Sequence, residues 1–150
     1  MGSECITRLK GAEREILALT RADADFATPN TVYDAIVSHR PAIVVNASAY
    51  TAVDKAESEE ALATTINADS VVAMAKACAK LNIPAIHIST DYVFDGLADA
   101  PYTEQHPTAP TGAYGRSKLA GETALRKVLE QHIVLRTSWV FGPTGNNFVK

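Results

Sequence analysis

Compact apolar runs alternate with longer amphipathic stretches along this chain. Glu15 to Leu19 (EILAL), Ala42 to Ser48 (AIVVNAS), Ala85 to Ser89 (AIHIS) and Ile133 to Ser138 (IVLRTS) have the length and apolar character of buried strands. Helical patterns fill the spaces between them. Residues 3 to 10 read as a helix or the tail of one. Thr28-Pro29 predicts a helix start, with threonine as N-cap and proline in the first turn. That helix reaches about His39, and Pro41 stops it. A long alanine-rich stretch after Ser58 runs to about Leu81, with Val71, Val72, Ala75 and Ala79 on its apolar face. Asn82 and Pro84 end it. A last helix is predicted from Tyr114 to about Gln131. Thr20 to Ala27, with Asp23 and Asp25, reads as loop, as do residues 91 to 112, rich in Pro, Gly and Asp.

Apolar strands separated by helices predict a parallel sheet covered on both faces, and right-handed crossovers make it a doubly wound α/β sheet. Ligands of such sheets bind beyond the carboxyl ends of the strands. Three strand ends therefore deserve inspection: Asn46 to Thr51, Ser89 to Asp91, and Ser138-Trp139.

Composition narrows the function. The chain has 150 residues, 47% of them apolar, which is the size and core content of one ordinary domain. Its net charge of -3, without a basic block, argues against nucleic acid or an anionic membrane as partner. Cys5 and Cys78 are the only cysteines, and with His39, His87, His106 and His132 they give no zinc-ligand spacing. Reduced thiols and a cytoplasmic location are expected. No apolar run approaches membrane-span length, and no signal peptide is visible at Met1.

The candidate chemistry centres on Tyr114-Gly115-Arg116-Ser117-Lys118. Residues four apart on a helix share a face, so Lys118 can sit one turn from the Tyr114 phenol. A cation there would favour the phenolate and lower a pKa that is otherwise about 10. Such a phenol can exchange a proton with a hydroxyl or keto oxygen. The plain alternative is a tyrosine and a lysine on a solvated helix face. Ser89-Thr90-Asp91 offers hydroxyls to a substrate carbonyl, and its plain alternative is a turn that satisfies its own backbone. Small residues in Asn46 to Thr51 would let a flat ring approach, or would let a helix pack close to the strand. Trp139 reads either as a stacking wall or as core mass. His87 reads as a hydrogen-bonded core histidine and Cys78 as a small apolar group.

Taken together, VVNASAYTAVDKAES (44 to 58), INADSV (66 to 71), HISTDYVFDG (87 to 96), YGRSKLAGE (114 to 122), LRTSWVFG (135 to 142) and GNNFVK (145 to 150) resemble the extended short-chain dehydrogenase/reductase family. Within it they are most similar to the branch that reduces the 4-keto group of dTDP-4-dehydro-L-rhamnose. The resemblance implies a Rossmann-like NAD(P)-binding domain. It makes Tyr114 the general acid and Lys118 its pKa-lowering partner, which would also bond the nicotinamide ribose. Thr90 becomes the third catalytic residue, with Ser89 as the fallback. Asp91 and Trp139 would line the sugar pocket, with Val53 touching the sugar. Ser48, Ala49 and Thr51 would lie along the cofactor, and Asp25 and Phe26 beside its adenine. Arg21 points to NADPH, with NADH possible because Asp23 and Asp25 are close by. Mg2+ is linked to some members, but no site can be assigned here. A homodimer is a further expectation.

The chain departs from this family in lacking the first strand and the first two glycines of the phosphate-binding turn, so that Gly2 looks like the third. Asn146 to Lys150 looks like the opening of a helix. The expectation is a partial NAD(P)-binding domain over 1-150, with the substrate domain largely missing and the activity of the chain by itself in doubt. Two other readings stay open: a different sugar-nucleotide epimerase, dehydratase or reductase, and a non-catalytic regulatory subunit like the methionine adenosyltransferase β subunit.

Overall fold

The computed structural model describes residues 1–9 and 15–142, so the expected helix opening at Asn146 lies outside the described residues. Three parallel strands form the sheet in the order β1-β2-β3: β1 (Val44–Asn46), β2 (Ala85–Thr90) and β3 (His132–Thr137). The register pairs Asn46 with His87 and Thr90 with Thr137. The strand ends singled out from the sequence therefore meet at one edge of the sheet.

The helices are α1 (Gly2–Leu9), α2 (Pro29–His39), α3 (Val53–Ala56), α4 (Glu60–Thr64), α5 (Ser70–Leu81) and α6 (Ala113–Val128). Pro29 begins α2 as expected, but the Thr28 side chain makes no capping bond. Arg40 and Asn82 turn the chain out of α2 and α5 in the left-handed conformation, at φ 48° and 54°. Asparagine tolerates that region well, and Pro84 follows it. The helix α6 stops at Val128, three residues short of the expected end.

The alanine-rich stretch is not one uniform helix. A π-helical turn, Thr65–Asp69, separates α4 from α5. Such bulges point a side chain where a regular helix would not, and this one buries Asn67.

The core lies between the sheet and the layer of α2, α5 and α6. Val32, Ile36, Val71, Met74, Cys78, Ala85 and Leu125 fill it. Cys78 packs there as a small apolar group, and burial pushes its thiol up to about 11. The opposite face differs from the two-sided burial expected: Val45, Ile133 and Leu135 stand 46–53% exposed.

The expected strand at Glu15 to Leu19 does not form; these residues are irregular, and Leu17 and Leu19 are exposed. Strand structure requires a hydrogen-bonded neighbour, and among the described residues β1 pairs only with β2. An apolar pattern alone cannot supply that neighbour.

Candidate active site

The site grows from β2 and the helix that returns over it. Tyr114, Lys118 and Glu122 occur at intervals of four on α6, so they share the face turned toward the sheet. All three are buried, with Lys118 only 1% exposed and Glu122 0%.

Two glycines let α6 approach so closely. A Cβ on Gly115 would lie 2.2 Å from the Tyr92 carbonyl oxygen, and one on Gly121 would lie 2.0 Å from the Asn67 carbonyl oxygen. The π turn thus presses directly onto the middle of α6. Asn67 fixes the contact: Nδ2 donates to Ser117 Oγ (2.9 Å) and to the Tyr50 carbonyl (3.1 Å), while Oδ1 accepts from the Tyr50 N–H (2.9 Å). One side chain so ties the loop after β1 to α6. The start of α6 has no side-chain cap of its own. Glu57 reaches across instead and accepts from the Ala113 N–H at 2.7 Å, placing a carboxylate at the positive end of the helix.

A cavity of 350 Å³ opens beyond the strand ends. Thr51, Val53, Thr90, Asp91, Tyr114, Lys118 and Trp139 line it, together with Ser48 and Ala49. Trp139 stands at this cavity, 75% exposed and at φ 50°. A second cavity of 480 Å³ is lined by Arg21, Asp25 and Phe26, and it too is lined by Ala47, Ser48 and Ala49. The two therefore adjoin at the small residues after β1. Asp25 is held in place there: it accepts from the Ala27 N–H at 2.9 Å and pairs with Arg21 at 3.3 Å.

Electrostatics at Tyr114 run opposite to the sequence expectation. Burial pushes the phenol above its usual range; the neighbouring Thr90 hydroxyl pulls it down, and the nearby Asp91 and Tyr92 push it up again. Lys118 does not reverse this, because its ammonium nitrogen is directed at the Ile88 carbonyl (2.7 Å) and His87 Nε2 (3.4 Å). Burial brings Lys118 down to about 8, with Glu122 opposing. Thr90 Oγ1 accepts from the Tyr92 N–H (3.2 Å) and donates to Asp91 Oδ1 (3.1 Å), and Asp91 Oδ2 accepts from Ser138 Oγ (2.6 Å).

Ser89 also lines the cavity, but its hydroxyl is engaged. Its hydroxyl donates to Glu122 Oε1 at 2.6 Å, so Thr90 is the strand-end hydroxyl directed to the phenol. Glu122 also accepts two bonds from Arg136 (3.0 and 2.7 Å) and one from Arg126 (2.9 Å). Burial alone would raise this carboxyl; the Arg136 and Ser89 bonds and the two arginine charges outweigh it and hold it below the usual carboxylate range.

Reasoning from the sequence missed Asn67, Glu57 and Glu122 as organisers of the site. The spacing of Glu122, two turns after Tyr114 on one face, was a usable signal. A lone asparagine in an alanine-rich helix was another. Nothing local marks Glu57 as a cap for a helix 56 residues away. Among the described residues, no group of three or more His, Cys, Asp or Glu could hold a metal ion. None of the described helices is long and apolar enough to cross a membrane.

A parallel sheet whose strand ends meet a buried Tyr-x-x-x-Lys helix and a threonine hydroxyl defines a Rossmann-like α/β domain. The chain belongs to the family described as the RmlD substrate binding domain, which it matches over residues 1–150. It is 52% identical over 136 residues to the dTDP-4-dehydrorhamnose reductase of Sinorhizobium fredii, covering 91% of this chain and 46% of that protein. The Escherichia coli dTDP-4-dehydrorhamnose reductase is 52% identical over 126 residues, covering 84% of this chain and 42% of that one. In structure it is similar to a dTDP-4-dehydrorhamnose reductase from Clostridium acetobutylicum (TM-score 0.94, 38% identity, 99% of this chain and 52% of that one). It is equally similar to the Bacillus anthracis enzyme in complex with NADP (TM-score 0.94, 36% identity, 99% and 53%). The chain spans about half the length of the relatives it matches.

Proposed function

We propose that the protein to which this chain corresponds reduces the 4-keto group of dTDP-4-dehydro-L-rhamnose, using NADPH, to give dTDP-L-rhamnose. The observation that carries this reading is the buried Tyr114 phenol beside Thr90 in the strand-end cavity. A proton donor must arrive at the reaction with its proton, and the buried Tyr114 phenol carries one toward the cavity. Thr90 would bond the keto oxygen together with Tyr114 and stabilise the negative charge that develops on it.

The pair of adjoining cavities fits a long, flat dinucleotide. Asp25 and Phe26 would lie beside its adenine, Ser48, Ala49 and Thr51 along its length, and Lys118 at the nicotinamide ribose. When bound, the cofactor supplies the hydride. Arg21 would favour a 2′-phosphate, although Asp25 shares that guanidinium. Val53, Asp91 and Trp139 would line the sugar pocket.

Nicotinamide absorbance in the presence of dTDP-4-dehydro-L-rhamnose tests the proposal. Turnover with NADPH is expected, falling by about 10²–10⁴ on Tyr114→Phe, and Arg21→Ala should narrow the preference for NADPH over NADH. A folded protein that binds NADPH without turnover would replace this reading with that of a regulatory subunit. Turnover unchanged in Tyr114→Phe would remove Tyr114 as the acid.

A further inference from the structure

A chain of hydrogen bonds beneath the cavity has its direction fixed from one end. The Ser48 N–H donates to Asn46 Oδ1 at 2.9 Å. Asn46 Nδ2 therefore faces His87 Nδ1, at 3.0 Å. Turning the amide over would set its NH₂ against the Ser48 N–H, donor against donor, so Nδ2 is the donor to His87 and Nδ1 the acceptor. A neutral imidazole carries a single proton, which must then be on Nε2. Nε2 lies 3.4 Å from Lys118 Nζ.

This last contact discriminates between the two states of the lysine. An ammonium has only donors, so it and the Nε2–H oppose each other. A neutral amine has a lone pair that accepts the Nε2–H and still donates to the Ile88 carbonyl at 2.7 Å. His87 is fully buried and cannot adapt by accepting a second proton without charging a site that already faces Lys118. We propose that His87 is a positioning residue for Lys118: its Nε2–H, locked by Asn46 and the Ser48 amide, favours the neutral amine over the ammonium.

The lowered pKa of Lys118 agrees in direction. The groups that face Lys118 are His87 on β2, Glu122 one turn later on α6, and Tyr114 and Asp91 at the shared cavity. The Glu122 charge favours the ammonium, but Arg126 on α6 and Arg136 on β3 engage it. The consequence rests on Lys118 lying at the nicotinamide ribose as proposed above: a lysine that changes charge near neutral pH makes that contact sensitive to pH.

NMR of the imidazole nitrogens and of the Lys118 side chain tests this on the protein itself. The unmodified protein should show the Nε2–H tautomer of His87 and a Lys118 midpoint well below that of an exposed lysine. In Asn46→Asp the carboxylate accepts from both the Ser48 N–H and His87 Nδ1–H. The imidazole proton then moves to Nδ1, Nε2 accepts from Lys118, and the lysine midpoint rises by about one pH unit or more. The new charge contributes to that rise, so Asn46→Asp in a His87→Phe background should produce a smaller one. A Nδ1–H tautomer in the unmodified protein overturns the proposal, as does an equal rise with and without His87. If Asn46→Asp does not fold, the tautomer of the unmodified protein decides alone. Neither readout needs substrate or cofactor, so failure here leaves the reductase assay standing, and failure of that assay leaves this result standing.

Discussion

Tyr114 and Lys118 stand one turn apart, yet each takes its chemical character from a different neighbour. Tyr114 answers to burial, Thr90 and Asp91; Lys118 answers to burial, Glu122 and the carbonyl of Ile88. Spacing alone brought them to one face, but it could not say where either polar atom points. His87 shows the same limit. It is a buried, hydrogen-bonded histidine as its strand position suggested, but its partners come from β1 and α6. Burial, with the Lys118 charge, brings it down to about 3 from 6.5. Between those values the unfolded chain binds a proton that the folded one refuses, so stability is lost as pH falls from 6.5 toward 3. The loss over that window is roughly 3–5 kcal/mol. Urea unfolding across it should show a shallower acid limb for His87→Gln than for the unmodified protein. Parallel limbs would mean that His87 is charged in the fold.

At the scale of elements, the contact between α6 and the π turn decides where α6 and its Tyr114 lie. Helix propensity favours alanine over glycine by about 1 kcal/mol. Gly121→Ala should nonetheless destabilise, by roughly 2–4 kcal/mol, because its Cβ would fall 2.0 Å from the Asn67 carbonyl oxygen, which is backbone and cannot step aside. Gly2→Ala, whose nearest neighbour would be 3.7 Å away, is the matched control and should not destabilise. Equal urea midpoints for the two variants would disprove the close packing. The helices were largely legible in the sequence, through Pro29, Pro41, Asn82 and the apolar face of α5. The π turn was not, because it arises from the fit of Asn67 against α6 and not from any local preference.

For the whole molecule, Glu122 is the polar joint between layers. It sits on α6 and receives Ser89 from β2 and Arg136 from β3. A buried carboxylate with this many donors cannot be removed without stranding them. Glu122→Gln should cost roughly 3–5 kcal/mol in urea unfolding. Arg126→Ala removes the half-exposed arm of the same cluster and should cost under about 1 kcal/mol. Comparable losses would mean that the buried arms carry no special weight. This cluster also engages the Ser89 hydroxyl and leaves Thr90 as the hydroxyl beside Tyr114. Choosing between the two hydroxyls was beyond local pattern, since both end the same strand.

The sequence by itself determined the alternation of strands and helices, the parallel sheet, and the three strand ends where the polar residues collect. Periodicity and turn chemistry are local, and they are written into consecutive residues. Tertiary structure alone decided that Glu15 to Leu19 is not a strand, because pairing needs a neighbour. It also decided that Glu57 caps α6 from 56 residues away and that burial raises the Tyr114 phenol above its usual range. Those outcomes depend on burial and on the direction of polar atoms, and both exist only once distant segments have packed.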